Sequence, residues 1–113
     1  ILVTVSAMMG WVYLALAALF EVGFAASMKA SKGFTELGPS IATVIGVIGG
    51  ISCLTLALRD IPVSVGYPIW VGVGAAGTVL LGAVLFGESL TLPKIASVVL
   101  IGIGVIGLKL SAS

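Results

Sequence analysis

The chain has 113 residues, of which 60% are hydrophobic and 8% are charged, and its formal net charge is +1. Because soluble domains carry about 25% charged residues, this composition excludes a soluble fold, and the chain has no basic cluster with which to bind nucleic acid. One cysteine and no histidine exclude an internal disulfide and argue against a zinc site, so we expect neither a metal nor a cofactor.

Four apolar segments separated by short polar turns predict an all-α membrane protein. The predicted helices span residues 10–29, 40–58, 63–86 and 93–110. Each has about 18–24 residues, enough to cross roughly 30 Å of hydrocarbon, and helices are the expected spans because lipid satisfies no backbone polar groups. The turns leave no room for another domain, so we interpret residues 1–113 as a single transmembrane domain.

Two methionines near the N-terminus, Met8 and Met9, are candidate start residues. We therefore expect residues 1–7 to be an N-terminal extension. The apolar run 1–20 lacks a basic region at its start and continues past Glu21, so it does not match a cleaved signal peptide.

Glu21 is the one charged residue in the first 28 positions and lies near the middle of the first predicted helix. A carboxylate near the bilayer midplane costs about 2.5 kcal/mol on insertion scales, so such groups usually face a cavity or a partner. One interpretation is an ionisable site that exchanges a proton for another positive charge, and the alternative is a protonated acid bonded between helices. We favour the first, because intramembrane acids are usually functional. Phe24, one turn further on, is the bulky residue beside it.

The third segment carries the densest pattern of candidate site residues. Tyr67, Trp70 and Gly74 are spaced i, i+3 and i+7, so they share one helical face. The aromatics predict a cation site, with a cation–π contact on Trp70 and a hydroxyl from Tyr67. The alternative is an interfacial aromatic belt. Pro68 removes a backbone hydrogen bond and Gly72 and Gly74 weaken the next turn, which predicts a hinge.

The fourth segment has small residues in place of acids and aromatics. Ser97 and Gly104 lie seven positions apart on one face, and small residues allow membrane helices to pack closely. We expect this face to form a dimer contact. The alternative is the ordinary tolerance of membrane helices for glycine.

The cations that flank the predicted spans are almost evenly divided between the two sides. Three lie on the side of the first and third loops and two on the other side: Lys29, Lys32 and Lys94 against Arg59 and Lys109. Since an excess of Lys and Arg orients a membrane protein, this balance permits insertion in either direction. Two opposite copies could then pair. The remaining loop charges, Glu88 among them, are expected to be solvated.

Several short motifs occur together along the chain. They are Glu21-Val22, Met28-Lys29, Lys32-Gly33-Phe34-Thr35, Pro39-Ser40, Ile61-Pro62, the run 66–74 and the ending 104–109. Their combination resembles the small multidrug resistance family over nearly all of residues 9–110. The resemblance implies a bacterial inner-membrane dimer of antiparallel subunits that exchanges cytoplasmic organic cations for protons. The resemblance also implies that Glu21 is the essential acid, that Tyr67 and Trp70 line the site, and that Gly72 and Gly74 form a bend in the third helix.

Within the family, residues 86–89 and the ending at 106–109 resemble the guanidinium-exporter branch. Two positions depart from that branch, because Phe24 stands where it has Trp and Gly50 where it has Ser. The usual Ala-Tyr-Ala-x-Trp also reads Gly-Tyr-Pro-Ile-Trp at residues 66–70. These departures admit a larger or more apolar guanidinium-like or quaternary ammonium cation, or a chain that works as one half of a paired heterodimer.

We therefore expect a proton-coupled antiporter for small organic cations. In the expected dimer, two copies of Glu21 share a cavity walled by Phe24, Tyr67 and Trp70 and titrate as a coupled pair. Gly50 and Ser64 are candidate neighbours of the acid. The alternatives are one subunit of a heterodimeric exporter and a non-transporting membrane partner with a structural acid. An enzyme is not expected, because no nucleophile accompanies the acid.

Overall fold

The computed structural model describes the backbone of residues 2–111 and the side chains of residues 8–111. These residues form four α-helices: α1 (Leu2–Ala30), α2 (Leu37–Ala57), α3 (Val63–Phe86) and α4 (Leu92–Ser111). All four are long and apolar enough to cross a membrane, α1 over Met8–Ala30. The prediction of an all-α protein with four spans is confirmed. The expected extension, residues 1–7, lies outside the residues whose side chains are described.

The turn between α1 and α2 is tied to the end of α1 by Ser31. The Ser31 hydroxyl donates to the Met28 carbonyl at 2.7 Å and accepts from the Phe34 amide at 3.2 Å, and Ser31 is buried. Lys32 and Phe34 both have positive φ, 50° and 65°, which non-glycine residues rarely adopt. The hydrogen bonds of Ser31 therefore hold a turn in which two side chains take an unfavourable backbone conformation.

Helix α2 begins earlier than predicted, and α3 has the predicted bounds. Glu36 occupies the N-cap position of α2, so Pro39 lies inside its first turn, where a missing amide hydrogen breaks no helical bond. Helix α3 ends at Gly87, which has the left-handed conformation with φ 64° and donates its amide to the Gly82 carbonyl. A glycine in that conformation is a common helix C-terminus, and it turns the chain towards α4.

Helix α1 lies between α2 and α3, and α4 packs mainly on α3. The buried core is drawn from α1, the end of α2, the turn that follows it and the first half of α3: Leu14, Ala17, Ala18, Leu54, Ala57, Ile61, Val65, Ile69 and Trp70. Helix α4 has no buried residue among its described positions. The fold therefore has α1 and α3 at its centre, with α2 packed on α1 and α4 packed on α3, and most of α4 is uncovered in the single chain.

Aromatic side chains of α1 pack against glycines of α2. A Cβ added at Gly46 would lie 2.7 Å from the Cβ of Phe24, and one at Gly49 would lie 2.7 Å from the ring of Phe20. Gly50 is also close to Phe20, at 3.1 Å for such a Cβ. Small residues that let backbones approach are the usual basis of membrane helix packing, and here they fix α1 against α2.

Candidate functional site

Helices α1 and α3 run parallel and place Glu21 directly against Gly74. A Cβ added at Gly74 would collide with the Glu21 carboxylate and would lie 2.9 Å from its Cγ. One turn earlier the same interface joins Ala17 to Trp70. By helical rise, Glu21 lies about 14 Å from the Ala30 end of the span. The acid is therefore deep in the span, in a space that exists because residue 74 has no side chain.

One carboxylate oxygen of Glu21 lacks a polar partner. Oε2 is buried and accepts no hydrogen bond from any group in the described part of the chain. Leaving a buried acceptor unpaired costs about 1–3 kcal/mol, and more for a charged group. The arrangement therefore leaves an acceptor that a proton or a bound cation with a hydrogen-bond donor would satisfy.

Trp70 and Tyr67 continue the same interface along α3. Trp70 is 8% exposed, and its Nε1 donates to the Ala17 carbonyl at 3.0 Å. In an α-helix that carbonyl is also the acceptor for the amide of Glu21. Tyr67 is about half exposed and meets Trp70 edge to face, with ring centroids 5.4 Å apart. The indole therefore positions the backbone beneath the acid, and its N–H does not reach the carboxylate.

Phe24 and Gly50 lie on the other side of α1 from Gly74. A Cβ added at Gly50 would lie 3.7 Å from Cε2 of Phe24, so both positions belong to the contact between α1 and α2. Within one chain they do not face the Glu21 carboxylate. Their place in the wall of the site stays a prediction that concerns the dimer.

Ser64 is exposed near the start of α3, and it lies ten positions before Gly74, about 15 Å along the helix. It is therefore distant from Glu21 along this chain, and its role beside the acid stays a prediction. Helix α3 continues through Pro68. Gly72 faces α4, where an added Cβ would lie 2.9 Å from a methyl of Val105. The glycines that predicted a hinge thus have packing roles, and the hinge itself remains a prediction.

The residues proposed for dimer contact lie on the open side of α4. The Ser97 hydroxyl donates within its own helix to the Pro93 carbonyl at 2.8 Å. A Cβ added at Gly104 would meet no described atom within 4 Å. The surface is free to receive another helix, and its use in dimerisation stays a prediction.

An ion pair that was not predicted from the sequence joins the last turn of α1 to the segment that follows α3. Lys29 Nζ lies 3.4 Å from Glu88 Oε2 and 5.7 Å from the centroid of the Phe86 ring. Parallel helices end on the same side, and Gly87 turns the chain back at that end. These two features, the parallel direction of α1 and α3 and the glycine at the end of α3, could have predicted that Glu88 lies beside Lys29. Among the described residues no cluster of acids and cysteine could hold a metal.

This fold and site define a small multi-span membrane protein in which one acid has a carboxylate oxygen, Glu21 Oε2, buried between the helices. A sequence model for the Small Multidrug Resistance protein family matches residues 9–101. The chain therefore belongs to that family, which confirms the resemblance. Family membership makes it a transporter and not an enzyme, and places it in the bacterial inner membrane as a multi-pass protein. Transporters of this family export small organic cations and function as dimers.

Relatives of similar length include proteins named Guanidinium exporter. The one from Yersinia pseudotuberculosis is 43% identical over 104 residues, which cover 92% of this chain and 100% of that protein. The one from Citrobacter freundii is 44% identical over 103 residues, covering 91% and 98%. The one from Proteus vulgaris is 39% identical over 104 residues, covering 92% and 100%.

Proposed function

We propose that this chain exports small organic cations of the guanidinium type from the cytoplasm in exchange for protons. The observation that carries the proposal is the buried, unpartnered Oε2 of Glu21. The relatives named Guanidinium exporter support the class of cation. Within the four helices as described, Glu21 is the one acidic residue, so a cation that enters the apolar interior has one countercharge to bind.

The geometry of a carboxylate favours a planar cation that carries N–H groups. Guanidinium groups donate two parallel hydrogen bonds to a carboxylate, which gives both strength and orientation. A quaternary ammonium ion has no N–H to donate and would rely on charge and on an aromatic face. Guanidinium and substituted guanidines therefore satisfy the Glu21 oxygen more fully, and tetraalkylammonium ions are expected to bind more weakly.

Exchange follows from competition for the same carboxylate. A proton on Glu21 removes the charge that holds the cation, and a bound cation excludes the proton. In a dimer the two Glu21 side chains titrate as a coupled pair. Rocking of the subunits exposes their shared cavity to each side in turn, as in other transporters built from opposed repeats. A bend at Pro68 would let α3 follow that motion.

The central experiment compares two acids of this chain in proteoliposomes. Guanidinium uptake driven by a pH gradient is measured for the native protein, for Glu21→Gln and for Glu88→Gln, which alters an exposed acid outside the helices. We expect Glu21→Gln to abolish uptake and Glu88→Gln to retain it. Equal uptake by the native protein and Glu21→Gln, above that of protein-free liposomes, would contradict antiport through this carboxylate. Uptake no greater than that of protein-free liposomes in both would favour the non-transporting alternative, in which the acid is structural.

The cation itself is identified by a competition panel on purified protein. Guanidinium, substituted guanidines and tetraalkylammonium ions are each added, and proton release is measured. We expect release with the guanidines at lower concentrations than with tetraalkylammonium. The reverse order would contradict the bidentate contact with Glu21 and would favour a more apolar cation.

A second candidate is one subunit of a paired heterodimeric exporter. Phe24 of α1 lies close to Gly50 of α2, where an added Cβ would be 3.7 Å from Cε2 of Phe24, and neither residue has a side-chain donor for Glu21. A homologous partner subunit could supply those donors. The idea is tested by measuring cation binding to this chain alone, with tryptophan fluorescence as the signal. Binding without a partner would favour the homodimer, and binding only after a small homologue is added would favour the heterodimer.

A further inference from the structure

An apolar cavity of about 230 Å³ lies where α1, α3 and α4 converge. Trp11 and Ala15 line it from α1, Trp70 from α3, and Val105 and Lys109 from α4. Glu21 is not among its lining residues. The cavity is therefore separate from the contact between Glu21 and Gly74, although Trp70 borders both regions.

One charged group stands at the edge of this cavity. Lys109 is its single charged lining residue, and Lys109 Nζ lies 5.3 Å from the centroid of the Trp11 ring. Both residues are near the end of a span, since the apolar spans are Met8–Ala30 in α1 and Leu92–Ser111 in α4. Tryptophan and lysine are common at the level of lipid headgroups. The charged edge of the cavity therefore faces the membrane surface, and its apolar part extends inwards to Trp70.

The charge and polarity of the lining residues indicate which kind of molecule the cavity can bind. A transported cation would be repelled by Lys109 and would find no acid in the lining. Water would find few polar partners among walls that are otherwise apolar, and dry cavities of this kind receive apolar groups. A molecule with an anionic head and an alkyl chain matches both parts, because basic positions between membrane helices bind anionic lipid headgroups. The chemistry of the site is that of a lipid and not of the substrate.

We propose that this cavity binds one acyl chain of an anionic phospholipid, with the headgroup phosphate on Lys109. The chain follows the apolar walls past Trp11 and ends against Trp70. Because Trp70 also holds the Ala17 carbonyl at 3.0 Å, the bound chain rests on the same side chain that positions the backbone under Glu21.

The experiment uses the tryptophans themselves as probes. The chain has two, Trp11 and Trp70, and both line the cavity. Trp11→Phe retains an aromatic ring beside Lys109 and leaves Trp70 as the one fluorophore. This variant is reconstituted in phosphatidylcholine vesicles that contain phosphatidylglycerol, with bromine on the acyl chains of one lipid or of the other. Since Trp70 is 8% exposed, strong quenching requires a brominated chain inside the cavity.

We expect brominated phosphatidylglycerol to quench Trp70 several-fold more, per mole of lipid, than brominated phosphatidylcholine. Adding Lys109→Gln should remove this preference, and adding Lys94→Gln, at the other end of α4, should keep it. Ala15→Leu, which fills the cavity from an exposed position of α1, should reduce quenching by both lipids.

Three results would overturn the proposal. Equal quenching by the two brominated lipids would mean that Trp70 contacts both lipids without selectivity. A preference that survives Lys109→Gln would place the anionic headgroup elsewhere. No quenching by either lipid would show that another part of the dimer, such as a second copy of α4, covers the cavity.

Discussion

Glu21 and Glu88 both lie against a glycine of α3, and the two places differ in what the carboxylate meets. A Cβ added at Gly74 would collide with the Glu21 carboxylate, and one at Gly82 would collide with that of Glu88. Glu88 has a side chain that is 43% exposed and pairs with Lys29 at 3.4 Å. Oε2 of Glu21 is buried and has no hydrogen-bond partner among the described residues. Both acids therefore pack against a glycine of α3, but the carboxylate of Glu88 has an ion-pair partner and Oε2 of Glu21 has no hydrogen-bond partner among the described residues.

The difference supports the proposal that Glu21, and not Glu88, exchanges a proton for a cation. An exposed ion pair contributes about 0–1 kcal/mol, so little is gained or lost when Glu88 changes partner. A buried acceptor without a partner carries a cost of about 1–3 kcal/mol, and that cost is relieved when a proton or a donor-bearing cation arrives at Glu21. Under the proposed function, the free energy available for binding a cation would therefore lie mainly at Glu21.

The strongest test of this comparison adds one methyl group beside each acid. Gly74→Ala should push the Glu21 carboxylate off α3 and lower guanidinium uptake about ten- to a hundredfold, since overpacking costs about 1–3 kcal/mol and each 1.4 kcal/mol is tenfold. Gly82→Ala is the matched control, because the Glu88 side chain can move into solvent. Initial rates in proteoliposomes give the result. Unchanged uptake in Gly74→Ala would mean that transport does not need the carboxylate at this place.

A second test examines the opposite side of α1, where packing is rigid. Gly46→Ala places its Cβ 2.7 Å from Phe24 Cβ and 3.4 Å from the Phe24 backbone, and neither can move without moving α1. We expect a loss of about 1–3 kcal/mol in the free energy of unfolding. Thermal unfolding of the purified protein measures it, with Gly38→Ala as a control that has no neighbour within 4 Å. If Gly46→Ala were as stable as Gly38→Ala, the close contact between α1 and α2 would be wrong.

A smaller effect is expected where the indole of Trp70 supports the backbone beneath the acid. Trp70→Phe keeps an aromatic ring and removes the donor to the Ala17 carbonyl, so the free energy of unfolding should fall by about 0.5–1.5 kcal/mol. Uptake should fall only a few-fold, because the carboxylate keeps its place on Gly74. Unfolding and guanidinium affinity are measured together, with Trp11→Phe as the comparison. A complete loss of uptake would show instead that the indole itself contacts the cation.

Much of the fold follows from patterns that are visible in the sequence. The length of the apolar segments predicted all four spans, including the end of α3 at residue 86, and Gly87 supplies the left-handed residue that follows it. The predicted start of α2, residue 40, is three residues too late, because Pro39 lies within the first turn of the helix and does not precede it. The prediction of a helix boundary depends on a few residues, whereas the prediction of a membrane span depends on the hydropathy of about twenty residues.

The site was predicted only in part, because side-chain direction around α1 is a tertiary property. The spacing of Trp70 and Gly74 placed them on one face of α3, and the structure puts that face against Ala17 and Glu21. The spacing of Glu21 and Phe24 predicted a shared face as well, yet the residues turn towards different neighbours. Which helix lies on each side of α1 cannot be read from its own periodicity.

The smallest effect is expected for the acid that already has its partner. Glu88→Gln and Lys29→Gln, alone and together, form a double-mutant cycle on the free energy of unfolding. Their coupling should be below about 1 kcal/mol and should weaken as salt is raised, because both side chains are largely exposed, at 43% and 59%. A coupling of several kcal/mol that salt does not reduce would mean that Glu88 is held as firmly as a buried group. The contrast with Glu21 would then rest on hydrogen bonding alone and not on depth in the membrane.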